Sequence, residues 1–183
     1  MRNVNQSVIN NENTVTTPVC TKLEERLWKP EKSAQARRDE IVEQAKADVE
    51  RLKENNIRLR TFNISLEVNR KDRSVEAIAK RPKSNRAFYG IAKAVPDDCF
   101  NVHIGKAIAL RRALGLKVPD EYLNAPQPTE VRVGDVVRST VDKSKEYVIA
   151  KGEKAWCDGM AGLSSMAAKY GRIIDDSREE VGE

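Results

Sequence analysis

The chain has 183 residues, of which 39% are hydrophobic, 33% charged and 5% aromatic, with a net charge of +5. That length predicts one or two small domains, and the composition is polar without being disorder-like throughout. No apolar run approaches the ~18 residues of a membrane helix, no signal-like apolar core opens the chain, and three scattered cysteines (Cys20, Cys99, Cys157) imply no disulfide framework, so a soluble cytoplasmic protein without a membrane partner is expected.

Residues 1–29 are rich in Asn, Thr and Val without a period, and are expected to be a flexible arm. Pro30 suits a helix start, and good helix formers follow to about Asn55. Ala34, Ile41, Ala45, Val49 and Leu52 make a narrow apolar stripe, and Glu43 with Lys46 and Glu50 with Lys53 are spaced for surface ion pairs. The stripe fits a helix laid on a sheet. It would also serve a short two-stranded coiled coil, which leaves a homodimer open.

Phe62, Ile64, Leu66 and Val68 alternate with polar residues, the pattern of a half-buried antiparallel strand. The polar run 69–74 predicts a hairpin turn, Val75 to Ala79 the return strand, residues 80–86 a basic connection and Phe88 to Val95 a third strand. After Pro96-Asp97-Asp98, Asn101 is a candidate N-cap and Gly115 a candidate stop for a helix. Ile104, Ala107, Ile108, Leu110 and Leu114 cover one broad side of that helix. Gly105, Ala109 and Ala113 form a small-residue strip that would admit a close neighbour, and Arg111, inside the apolar arc, needs a partner or a route to water.

Prolines at 119, 126 and 128 predict an extended linker over 119–128. Short β-branched strands with Gly-Asp and Asp-Lys-Ser turns follow, then a short helix from Ser164 to Tyr170 and a last strand from Arg172 to Asp175. The expected fold is therefore α+β: an α-β-β-β-α domain over 30–118, the linker, a small SH3-like β-barrel over 129–176 and a disordered tail over 177–183.

Charge is unevenly spread. Residues 57–118 carry +9 and residues 119–183 carry −4, which hints at a polyanion partner. Arg70, Lys71 and Arg73 crowd one turn, Lys80, Arg81, Lys83 and Arg86 the next, and Lys106 and Arg112 lie on the second helix. If the two turns and the helix share one edge of the sheet, these nine residues would track a phosphate backbone, of DNA or RNA.

The order helix, three antiparallel strands, helix over 30–116 is similar to that of double-stranded RNA-binding domains and of the three-stranded DNA-binding domains of some phage integrases. In the run FNVHIGKAIALRRALG, Lys106 follows Gly105 without the RNA-binding family's lysine pair. Separately, GIAKAVPDDCFNVHIGKAIALRRALGL with VPDEYLNAPQPTEVRVGDVV resembles uncharacterised accessory proteins of tailed phages and prophages of Gram-positive bacteria, over roughly 88–138. That resemblance implies a phage product acting in the host cytoplasm. Its partner would be nucleic acid or, as the rival reading, a host protein such as a defence nuclease that it inhibits.

No GxxxxGK[ST], GxGxxG or HExxH motif is present, and Cys99 with His103, the sole histidine, makes neither a complete metal site nor a triad. Asp97 and Asp98 are read as a polar turn and helix start rather than metal carboxylates, and Ser164-Ser165 as ordinary capping rather than an anion site. A non-enzymatic protein without metal or cofactor is the expectation.

Overall fold

A computed structural model describes residues 32–84, 86–150, 154–157, 160–163 and 168–178. The arm expected at 1–29, and residues 164–167 of the short helix expected at 164–170, lie outside the described residues. The fold is α+β. Helix α1 (Ala34–Leu59) is followed by strands β1 (Asn63–Asn69), β2 (Ser74–Lys80) and β3 (Ala87–Lys93), helix α2 (Val102–Ala113) and a single turn, α3 (Asp120–Leu123). Strands β4 (Val136–Ser139), β5 (Glu146–Val148), β6 (Lys154–Cys157), β7 (Met160–Leu163) and β8 (Gly171–Asp175) follow.

α1 begins later than Pro30 suggested. Ser33 caps it, its hydroxyl accepting the Ala36 N–H at 3.1 Å. The expected stripe faces inward at Ile41, Ala45, Val49 and Leu52, while Ala34 stays exposed. Both expected surface pairs form, Lys46–Glu43 at 2.8 Å and Lys53–Glu50 at 3.7 Å. At its end Arg60 adopts a left-handed conformation (φ 49°), which a Cβ disfavours. Arg60→Gly is expected to raise stability by about 1 kcal/mol. Urea denaturation checks this, and an unchanged or lowered midpoint refutes it.

β1, β2 and β3 form an antiparallel meander in that order. Alternation places Val75, Ala77 and Ala79 of β2 in the core, with Ile64, Leu66 and Val68 of β1 packed beside them. α2 lies on this face. Its small-residue strip does admit a close neighbour: Gly105 sits against Val75, and the backbone of Ala109 and Ala113 sits against Gly90. Asn101 caps α2, its side-chain oxygen accepting the N–H groups of His103 and Ile104 at 3.0 and 3.2 Å. At the other end Gly115 (φ 67°) and Leu116 donate to the carbonyls of Arg112 and Arg111, which closes a Schellman turn. Asp97 and Asp98 do not start this helix, whose first turn holds no acidic residue. Asp97 pairs with Arg172 instead, and Asp98 accepts from the Gln127 amide.

The later strands form a five-stranded antiparallel sheet in the order β7-β6-β5-β4-β8, with no closed barrel among the described residues. The Asp-Lys-Ser turn is set by Asp142, whose carboxylate accepts from both the backbone and the hydroxyl of Ser144.

Residues 119–128 are more than an extended spacer. Tyr122 of α3 is buried, and the Pro126 carbonyl accepts from Arg38 at 2.6 Å. Beyond them, Gln35 of α1 takes the N–H groups of Thr129 and Glu130 on its side-chain oxygen. The described residues form one compact unit. The tail expected at 177–183 begins inside it, because Asp175, Asp176 and Ser177 are buried. The Phe100 N–H donates to Ile174, the Val102 N–H to the Ser177 hydroxyl, and Arg178 pairs with the buried Asp135. Charge complementarity holds these residues down where composition alone suggested a free end. Residues 179–183 lie outside the described residues.

Candidate functional site

The structure divides the nine sequence-selected basic residues among three places. In a meander, consecutive turns fall at opposite ends of the shared strand. β2 has seven residues, so the two basic turns stand roughly 20 Å apart.

The β1–β2 turn carries Arg70, Lys71 and Arg73. Asn69 braces it, accepting the Asp72 N–H and donating to the Asp72 carboxylate. Arg70 pairs with Asp175 at 2.9 Å, and Arg73 donates to the carbonyls of Val95 and Asp98. These two guanidinium groups tie the turn to the C-terminal strand and to the loop before α2. Lys71 is exposed. On α2, Arg112 donates to the Ile91 carbonyl, while Lys106 is half-buried.

The β2–β3 connection carries Lys80, Arg81, Lys83 and Arg86, all exposed. The Arg81 N–H donates to the Arg86 carbonyl, and the Ser84 hydroxyl accepts the Arg86 N–H. The Arg81 guanidinium lies 5.8 Å from the ring centres of both Phe62 and Phe88, which meet edge to face.

α1 ends beside this connection. A surface groove of about 700 Å³ runs between them, lined by Lys53, Asn56, Ile57, Arg60, Phe62 and Pro82 among others. Arg58 and Arg60 at the end of α1 are exposed. Residues 58–63 and 80–86 together hold six basic groups and no acidic one. Sequence reading missed Lys53, Arg58 and Arg60 as members of this set. The available signal was the Arg58-Leu59-Arg60 run at the helix end, where cations also suit the helix dipole.

The remaining charged groups of the interior serve packing. Arg111 reaches Asp48 of α1 through two hydrogen bonds of 2.5 and 2.9 Å. Burial pushes the Asp48 carboxyl up, but Arg111 and Arg51 more than offset that and hold it below the ordinary carboxylate range. Cys99 is buried beside Asp176. Burial, with that carboxylate added, pushes its thiol far above the usual range, so it stays protonated and is a poor nucleophile. His103 lies on the first turn of α2, half-buried. Among the described residues no three His, Cys, Asp or Glu side chains gather as a metal site would require, and no helix is long and apolar enough to cross a membrane. No family model, curated protein or solved structure matches the chain.

Proposed function

We propose that the chain is a non-enzymatic nucleic-acid-binding protein that grips the phosphate backbone at the end of the molecule where α1 and the β2–β3 connection meet. The observation that carries this reading is the groove there, walled by Lys53 and Arg60 and bordered by Lys80, Arg81, Lys83 and Arg86, with no acidic residue in 58–63 or 80–86. Phe62 and Phe88 lie under Arg81, so a base has an aromatic–guanidinium face to lie against without sequence being read. The β1–β2 turn plays a lesser part, because Arg70 and Arg73 are engaged within the fold. The five-stranded sheet supplies a second contact module. Its fifth strand returns beside the first after a helical turn at 168–170, which supports an SH3-like assignment. The resemblance of residues 88–138 to phage accessory proteins supports placing the activity in an infected bacterial cell.

Fluorescence anisotropy with duplex DNA, duplex RNA and single strands over a salt series tests the reading. Wild type is expected to bind more weakly as salt rises. Changing Lys80, Arg81, Lys83 and Arg86 together to Ala is expected to lower the log–log salt slope by ~0.7–0.9 for each phosphate that the variant no longer neutralises. The Arg70, Lys71 double change to Ala is expected to leave most of the slope in place. Failure of wild type to bind any of these at low salt removes the proposal and puts inhibition of a host protein in its place.

A further inference from the structure

β3 is an edge strand of the three-stranded sheet, and the direction of its backbone groups can be assigned. The Ala94 N–H donates to the Arg73 carbonyl at 3.0 Å. Counting along the register, the hydrogen-bonded pairs are then Val75–Ala92, Ala77–Gly90 and Ala79–Phe88. The residues between them, Tyr89, Ile91 and Lys93, turn their N–H and C=O groups away from β2, toward the edge that no described strand occupies. Arg112 confirms the assignment, since its guanidinium donates to the Ile91 carbonyl from outside the sheet.

Beside this edge lies a cavity of about 540 Å³ between β3, α2 and α3. Ala92, Ala94, Ile104, Ile108 and Leu123 supply its apolar wall, and Lys93 and Arg112 stand among its lining. Its one acidic lining residue, Asp98, accepts from Gln127. Tyr89 and Ile91 are more than half exposed. An edge strand next to a helix-walled trough with one apolar wall is the arrangement in which a peptide adds as a further strand. Main-chain hydrogen bonds then give affinity, and alternate side chains enter the trough.

We propose that the β3 edge takes up an extended peptide of a partner protein, with apolar residues at alternate positions and acidic residues between them. The apolar side chains fill the space beside Ile104, Ile108 and Leu123. An incoming N–H replaces Arg112 on the Ile91 carbonyl. The acidic side chains then lie on the other face of the added strand, beside Lys93, whose ammonium sets the charge preference. This site is separate from the basic groove at the end of α1, and either holds without the other.

The test uses the full chain, labelled with nitrogen-15, and two blocked heptapeptides, one alternating Glu with Val and one alternating Lys with Val. The Glu–Val peptide is expected to give saturable amide shifts and slowed hydrogen exchange centred on Tyr89, Ile91 and Lys93. The Lys–Val peptide should bind at least about tenfold more weakly. Ile91→Pro removes an outward N–H and spares the ladder to β2, so it should weaken the Glu–Val peptide about tenfold at an unchanged melting temperature. Lys93→Glu should reverse the preference between the peptides, and it decides the matter if the proline variant unfolds. The proposal is overturned if β3 amides fail to respond or if both peptides bind equally. It is equally overturned if the same amides shift with protein concentration alone, as pairing between copies would produce, or if duplex RNA moves them.

Discussion

Asp176→Ala is expected to destabilise the protein by about 3–5 kcal/mol, because it strands a buried guanidinium. Arg38 and Asp176 are 2% and 3% exposed. They are joined by two hydrogen bonds, Nε to Oδ2 at 2.6 Å and Nη2 to Oδ1 at 2.9 Å. Asn101 completes the carboxylate at 3.0 Å, and the Pro126 carbonyl takes another Arg38 proton. With Asp176 removed, that carbonyl and the Cys99 carbonyl at 3.4 Å are the acceptors left around the charge. For a unit of this size the loss is a fall in melting temperature of roughly 6–20 °C. A fall of only a degree or two refutes the account. Acid should act in the same direction. Burial pushes the Asp176 carboxyl up, but Arg38 and Asn101 more than offset this, so its folded value lies below the unfolded one near ~3.9. Its stabilising contribution is therefore complete above about pH 4 and is lost as pH falls further, through the folded value. Asp48 acts with the same sign. Asp135 has the opposite sign, because burial raises its carboxyl despite Arg178, so acid relieves a cost there. Melting curves from pH 7 downward should show a steep acid limb in wild type and a shallower one in Asp176→Ala.

Gly90→Ala is expected to lift α2 off the sheet. A Cβ at residue 90 would stand 2.1 Å from the Ala109 carbonyl oxygen and 2.4 Å from the Ala113 nitrogen. Both are main-chain atoms of a helix, so no rotamer change relieves the overlap. The expected cost is about 3 kcal/mol or more, at the high end for overpacking. Gly115→Ala is the matched control. A Cβ there meets no atom within 4 Å and bears only the left-handed backbone (φ 67°), for about 1 kcal/mol. Urea denaturation of the two variants side by side checks this, and equal midpoints would sink it.

What the sequence disclosed were signals that act over a few residues. Alternation at Ile64, Leu66 and Val68 placed β1 on the correct face, and Asn101 and Gly115 marked the ends of α2. The need of Arg111 for a partner was also legible, although Asp48 as that partner was not. Pairings over long separations left no local mark. Gln35, Arg38, Asp48 and Asn56 are polar residues outside the apolar stripe of α1, yet they are buried, each against a group supplied by packing or by the helix itself. The same limit governed the candidate site. Two basic turns close in sequence look like one surface, but a meander sends them to opposite ends, and the neighbour of the second turn is the end of α1.

The pairing of Arg38 with Asp176 also sets an order on synthesis. The two residues are 138 positions apart. At ribosomal speeds of ~5–20 residues per second, the arginine leaves the exit tunnel roughly 7–28 s before its carboxylate does. The β1–β3 meander and α2 are complete in the nascent chain well before then, but α1 cannot seal against them around a lone cation without a desolvation penalty. Docking of α1 is thus weakened by that penalty until one of the last described residues is translated. A chain released early, by a premature stop or a stalled ribosome, carries that penalty permanently, so α1 opens more often and is more exposed to proteolysis.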